Sequence, residues 1–163
     1  MKEKFLELAK QDLEFYFDRW SRTALAQRCE SPIELYLLAA MTLFPAFTSW
    51  SASGYVAIET ADCPPDGDPK GWPLLTIVPQ YQMEDFRVDF ALFWRGGHLI
   101  VVECDGHDFH ERTAEQAERD RSRDRMLQKR NIAILRFTGR EVYRDPFKCA
   151  EEIYRFVEAR ASS

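Results

Sequence analysis

The sequence predicts an α/β domain built on a mixed β-sheet flanked by helices. Short apolar runs of strand length follow one another in the middle of the chain, and charged segments with helical spacing surround them. An antiparallel meander followed by a strand–helix–strand unit produces a mixed sheet, and the right-handed crossover rule fixes the hand of that last unit. The 163 residues suffice for one core. We therefore expect a single domain over 1–163, with a helical extension over about residues 1–30.

Two helices are predicted before the first strand. Apolar residues recur every three or four positions over 3–28, with charges between them. Ser31, Pro32 and Glu34 then form a capping box, because serine at the N-cap, proline at the first helical position and glutamate three residues after the cap favour a helix start. This second helix should extend to about residue 44 and end before Pro45.

The rest of the chain alternates between strand and helix signals. Residues 63–73 are rich in Pro, Gly and Asp and indicate a loop, and Gly96-Gly97 favours a tight hairpin. Asp145 is a candidate N-cap for the last helix. The predicted strands cover 55–60, 74–82, 86–94, 99–104 and 132–137, and the predicted helices cover 111–130 and 146–159.

Charge is distributed unevenly along the chain. The formal net charge is -5, yet residues 119–144 hold nine basic and three acidic residues, a net charge of +6. An acidic protein can bind a polyanion when its positive charges share one face. A solvated helix face with mixed ion pairs explains the same pattern.

The cysteines and the N-terminus indicate a cytoplasmic location without a membrane partner. Cys29, Cys63, Cys104 and Cys149 are far apart and include no Cys-x-x-Cys pair, so we interpret them as reduced thiols. The N-terminal segment is charged throughout, unlike a signal peptide, and the chain has no apolar run of roughly 18 residues.

Three acidic residues lie at chemically suggestive positions. Asp89 interrupts an apolar strand, and Glu103 and Asp105 end the next strand on one face. A hairpin at Gly96-Gly97 can place Asp89 and Glu103 opposite each other. Converging carboxylates repel and burial raises their pKa values, a conflict that a hard divalent cation such as Mg²⁺ relieves. The alternative is an ion pair of Asp89 with Arg87 or another arginine, and an ordinary strand end at Glu103.

Four segments together resemble a nuclease family. They are RVDF (87–90), VVECDGHDFH (101–110), RDRSR (119–123) and ILRF (134–137). Over about residues 31–158 the chain resembles the PD-(D/E)xK restriction-endonuclease-like superfamily, and within it the very-short-patch-repair-endonuclease-like group that includes domain of unknown function 559. The resemblance implies a three-layer core and an endonuclease of repair or restriction type. Its cofactor would be Mg²⁺, with Mn²⁺ as a substitute, and its partner double-stranded DNA.

The resemblance also implies a metal site. Asp89 and Glu103 would be side-chain ligands, with the Cys104 carbonyl as a third ligand. Glu34 would contact a metal-bound water, a role that competes with the capping box for one carboxylate. Asp105 occupies the position where the superfamily has lysine, so it can bind metal or orient water but cannot supply positive charge.

Further site residues follow from the same resemblance. His107 and His110 would transfer protons, although each also fits a polar loop. Together with Cys104 they invite a zinc site, which has three possible ligands where a structural site needs four.

One stripe of the helix after these histidines also points toward the site in the family. It includes Gln116, Asp120 and Arg123, and Arg123 would hold the scissile phosphate or replace the lysine charge. The alternative is a structural Asp120–Arg123 pair. A second interpretation of the whole chain is an inactive nuclease-fold module that binds nucleic acid or a protein partner.

Overall fold

The computed structural model describes residues 26–47, 58–60, 64–67, 75–94, 97–105 and 114–161. The predicted helix over 3–28 lies outside these residues except for its end, where Ala26–Arg28 forms a 3-10 turn. The strands are β1 (Ile58–Thr60), β2 (Leu75–Met83), β3 (Phe86–Trp94), β4 (His98–Asp105) and β5 (Ala133–Thr138). The helices are α1 (Pro32–Phe47), α2 (Ala114–Lys129), α3 (Gly139–Arg144) and α4 (Pro146–Ala161).

The five strands form one mixed sheet in the order β1-β2-β3-β4-β5, as the α/β prediction requires. Strands β2, β3 and β4 are antiparallel neighbours, and β5 is parallel to β4. The expected meander is therefore correct for β2–β4. It is wrong for β1, which pairs with β2 in parallel. Residues 61–74 provide the long connection that a parallel pair needs.

Two hydrophobic clusters cover the two faces of the sheet, which gives three layers. The first cluster joins the sheet to α1, α3 and α4 and contains the fully buried Leu37, Leu92 and Ile153. The second joins the opposite face to α2 through Leu127. None of the helices within the described ranges is long and apolar enough to span a membrane.

Helix α1 continues through Pro45, so the predicted end near residue 44 is wrong. A proline inside a helix leaves the carbonyl four residues earlier without its usual amide donor. That carbonyl belongs to Met41, and the buried Tyr154 hydroxyl donates a hydrogen bond to it at 2.6 Å. A side chain of α4 thus replaces the missing donor, because the two helices pack together in the first cluster.

The short helix α3 was not predicted from the sequence. Its start is a capping box: the Glu141 amide donates to Thr138 Oγ1 at 3.3 Å, and the Thr138 amide donates to Glu141 Oε2 at 2.8 Å. A Cβ added at Gly139 would lie 2.7 Å from Ile33 Cδ1, so a larger residue there would require the end of the Ile33 side chain to shift. The predicted cap of α4 is confirmed, since the Lys148 amide donates to Asp145 Oδ1 at 3.0 Å.

Candidate active site

The alternation of side chains along β3 reverses at Asp89. Phe90 packs in the first hydrophobic cluster, whereas Val88 packs in the second. The β2–β3 pairing is interrupted at the same level, between the pairs Pro79–Phe90 and Tyr81–Val88, where Gln80 has a left-handed φ of 51°. Because of this break in the pleat, the Asp89 side chain belongs to neither cluster. The side chain is half-buried.

The Asp89 carboxylate binds the backbone of the neighbouring strand. The regular β3–β4 register ends at the pair Phe90–Val102, so the next step along each strand leads to Asp89 and Glu103. At this point the Cys104 amide donates to Asp89 Oδ2 at 2.7 Å. The expectation that Asp89 and Glu103 lie on adjacent antiparallel strands is therefore confirmed.

Burial and neighbouring acids make the Asp89 carboxyl group harder to ionise. Desolvation is the largest cause and raises the pKa of Asp89 to about 6, with repulsion from Glu34 and Glu103 acting in the same direction. The hydrogen bond from Cys104 and the positive charge of Arg123 oppose this shift. Glu34 and Glu103 therefore both lie close enough to Asp89 to disfavour its charged form.

Two arginines hold Glu103 in the buried position that it occupies, with 5% of the residue exposed. Arg123 Nη1 of α2 lies 2.9 Å from Oε1, and Arg136 Nε of β5 donates to Oε2 at 3.1 Å. Desolvation nevertheless raises the pKa of Glu103, and the nearby Asp105 carboxylate adds to that rise. Arg136 also bonds Asp124 of α2 at 2.5 Å, so it joins the sheet to the helix.

Glu34 takes part in the predicted cap at Ser31, because its amide donates to Ser31 Oγ at 3.2 Å. Both carboxylate oxygens of Glu34 are bound as well. Ser31 Oγ donates to Oε1 at 2.8 Å, and the Glu30 amide donates to Oε2 at 2.9 Å. The Gln80 side-chain amide also donates to Oε2, at 2.6 Å. The capping interpretation is confirmed, while a contact of Glu34 with a metal-bound water stays a prediction.

The other candidate residues divide into described and undescribed ones. Asp105 ends β4 opposite Thr138 and is half-buried. Asp120 Oδ1 lies 3.5 Å from Arg123 Nη2, which is the predicted helix pair. Gln116 belongs to α2, but its side chain lies outside the described residues, as do His107 and His110. Among the described side chains, no three His, Cys, Asp or Glu residues are grouped closely enough to hold a metal.

Sequence reasoning missed two residues that organise this site. The Gln80 side-chain amide donates to Glu34. The sequence feature that could have indicated this role is the position of Gln80 as a polar residue at the end of an apolar run. Arg136 had no assigned role beyond its place in the ILRF segment, and its contact with Glu103 depends on the parallel alignment of β4 with β5. Both contacts join segments far apart in sequence.

A family comparison agrees with the fold. The model of the family REase_MTES_1575 matches residues 71–157, which is more than half of the chain and extends from β2 into α4. The chain belongs to this restriction-endonuclease-like family, which indicates a nuclease-type function. No curated protein and no solved structure matches the chain.

Proposed function

We propose that this protein is a metal-dependent endonuclease that hydrolyses phosphodiester bonds of double-stranded DNA in the cytoplasm. The observation that carries the proposal is the meeting of Asp89 with the Glu103–Cys104 segment where the β3–β4 register ends. Asp89 is half-buried and Glu103 is buried, and both have raised pKa values. Because burying charge costs stability, two such acids at one point favour a functional role. Membership of a restriction-endonuclease-like family supports the same activity.

The residues at this point fit a hard divalent cation. Asp89 and Glu103 supply carboxylate oxygens, the Cys104 carbonyl supplies a backbone oxygen, and Asp105 is a further candidate donor. Mg²⁺ is bound in this manner by one or two carboxylates together with substrate phosphate oxygens. Such a cation, or Mn²⁺ in its place, polarises a phosphodiester and lowers the pKa of a bound water.

The protein's own residues would hold the substrate and move the proton. Arg123 contacts Glu103 and its side chain is partly exposed, so its guanidinium can offset charge that develops on the scissile phosphate. His107 follows β4 in sequence and is the best candidate for proton transfer, since its ordinary pKa suits neutral pH. Glu34, whose carboxylate is bound by Gln80, would contact a metal-bound water. His110, Gln116 and Asp120 would line the edge of the site.

The proposal is tested by incubating the purified protein with supercoiled plasmid and with labelled duplexes in Mg²⁺, Mn²⁺ or EDTA. We expect nicked or linear products with either cation and none in EDTA. Asp89→Asn is the matched control variant, because asparagine retains an oxygen that can accept the Cys104 amide. Cleavage that persists in Asp89→Asn would show a contaminating nuclease and refute the assignment.

A second function has a specific observation in its favour. Arg123 and Arg136 already neutralise Glu103, and the described side chains include no group of three metal-binding residues. This arrangement suits a nuclease-fold module that binds DNA without cutting it. Salt-sensitive DNA binding without cleavage in any cation, and equal affinity of wild type and Glu103→Gln for Mn²⁺, would favour the binding module.

A further inference from the structure

A groove of about 260 Å³ lies between α2 and the turn that joins β2 to β3. Its helix wall carries Arg119, Ser122 and Arg123, and its turn wall carries Glu84 and Asp85. Phe86 and Met126, which both pack against the second hydrophobic cluster, complete the lining. The groove therefore has a polar helix wall, an acidic turn wall and an apolar part.

Arg123 connects this groove with the candidate active site. Its Nη1 contacts Glu103 at 2.9 Å, while its side chain also lines the groove. The Nε of Arg123 is buried and has no hydrogen-bond partner among the described residues. A buried guanidinium N–H without an acceptor is costly, so the Arg123 side chain gains a hydrogen bond when it turns this donor toward an acceptor in the groove.

The groove walls differ in the ligand that they favour. Arg119 and Ser122 are both exposed and stand three residues apart on α2, so their donors face the same side of the helix. The turn wall is acidic, and Arg130 pairs with its Glu84. An anion is therefore attracted to the helix wall and repelled from Asp85, while apolar atoms next to the anion can contact Phe86 and Met126.

We propose that this groove binds a DNA backbone phosphate next to the scissile one, with the adjoining sugar against Phe86 and Met126. The inference rests on the proposed function, because it places the DNA strand relative to the Glu103 site. Arg119 and Ser122 would contact this phosphate. Arg123 Nε would provide a hydrogen-bond donor on the side nearer to the scissile phosphate. The groove thereby fixes the register of the strand at the metal site.

Fluorescence anisotropy of a short labelled duplex in EDTA tests this assignment, since binding is then measured without cleavage. Arg119→Ala should weaken binding on the order of tenfold, as expected for a charged hydrogen bond to phosphate. It should also reduce the slope of log affinity against log salt by about 1. Ser122→Ala should weaken binding less, by a few fold.

The matched controls are Arg121→Ala and Arg125→Ala, which remove the same charge from exposed positions of α2 that do not line the groove. Each should change the affinity less than Arg119→Ala does. Equal losses in all three arginine variants would show diffuse attraction and overturn the subsite.

A second measurement separates the subsite from the nuclease proposal. Where the wild type cleaves, an uncharged methylphosphonate at the phosphate beside the mapped cut should abolish the difference between wild type and Arg119→Ala. Cleavage by the wild type with an unaltered Arg119→Ala variant overturns the subsite alone. Absence of any DNA binding by the wild type overturns both proposals.

Discussion

Replacing Asp89 with asparagine should stabilise the metal-free protein at neutral pH. Burial and the nearby acids raise the pKa of Asp89 from 3.8 to about 6. Below pH 3.8 the carboxyl group is protonated in both the folded and the unfolded chain. Between pH 3.8 and 6 the folded chain binds more protons, so the free energy of unfolding falls as pH rises through this window and stays low above it.

The size of the effect follows from the shift. About two pKa units at roughly 1.4 kcal/mol each correspond to an upper value of about 3 kcal/mol. Asp89 remains half-buried, so solvent screening reduces this to about 2 kcal/mol. For a chain of this length, 2 kcal/mol shifts the unfolding midpoint by about 4–8 °C. Asparagine carries no charge and retains an acceptor for the Cys104 amide, so the variant should gain this stability at pH 8 and none at pH 3.5.

Thermal unfolding in EDTA, followed by circular dichroism between pH 3.5 and 8, measures this difference. Glu103 contributes a pH dependence of the same sign, and most of it cancels in the comparison because Glu103 is present in both proteins. Asp85→Asn is the control for the loss of one negative charge at an exposed turn position, and it should not reproduce the gain. Parallel curves for wild type and Asp89→Asn would refute the electrostatic argument. Added Mn²⁺ should raise the midpoint of the wild type and leave that of Asp89→Asn unchanged.

Three further predictions concern the arginine, the histidine and the helix with an internal proline. Arg123→Gln should bind Mn²⁺ more tightly in calorimetry, because its guanidinium no longer competes for Glu103, yet cleave DNA more slowly; weaker Mn²⁺ binding would contradict this competition. His107→Ala should lower the cleavage rate roughly 10²–10⁴-fold at unchanged DNA affinity, and an unchanged rate would remove it from the mechanism. Tyr154→Phe should lower the free energy of unfolding by about 1–3 kcal/mol in urea, because the Met41 carbonyl loses its donor; an unaltered midpoint would show that the carbonyl has another partner.

The sequence predicted most elements of the fold because local patterns determine them. The strands β2, β3 and β4 follow from apolar runs bounded by turn residues, and the start of α1 follows from its capping box. The end of α1 could not be predicted in the same way. A local rule stops a helix before Pro45, and the donor that compensates for this proline comes from Tyr154, a residue far along the chain.

The part of the site that depends on hairpin register could be predicted from the sequence. Equal offsets from the turn brought Asp89 and Glu103 to adjacent strands, and the register confirms this. The reversal of side-chain alternation at Asp89 lies opposite the left-handed backbone of Gln80. A non-glycine residue rarely adopts this conformation, and no residue pattern predicted it. The arginine partners of Glu103 could not be predicted from the sequence either, because they come from a helix and a strand that only the tertiary fold brings together.

Under the proposed function, the arginines can supply the positive charge that lysine would provide at position 105. Each of them has an alternative acid on α2: Arg136 bonds Asp124, and Arg123 lies beside Asp120. A cation at Glu103 therefore leaves neither guanidinium unpaired, which lowers the cost of displacing them. Arg136 is held by β5 and α2 together, whereas Arg123 has an unbonded Nε and lines the groove. We therefore expect Arg123 to transfer from Glu103 to the DNA phosphate when the cation binds, and Arg136 to stay and keep α2 against the sheet.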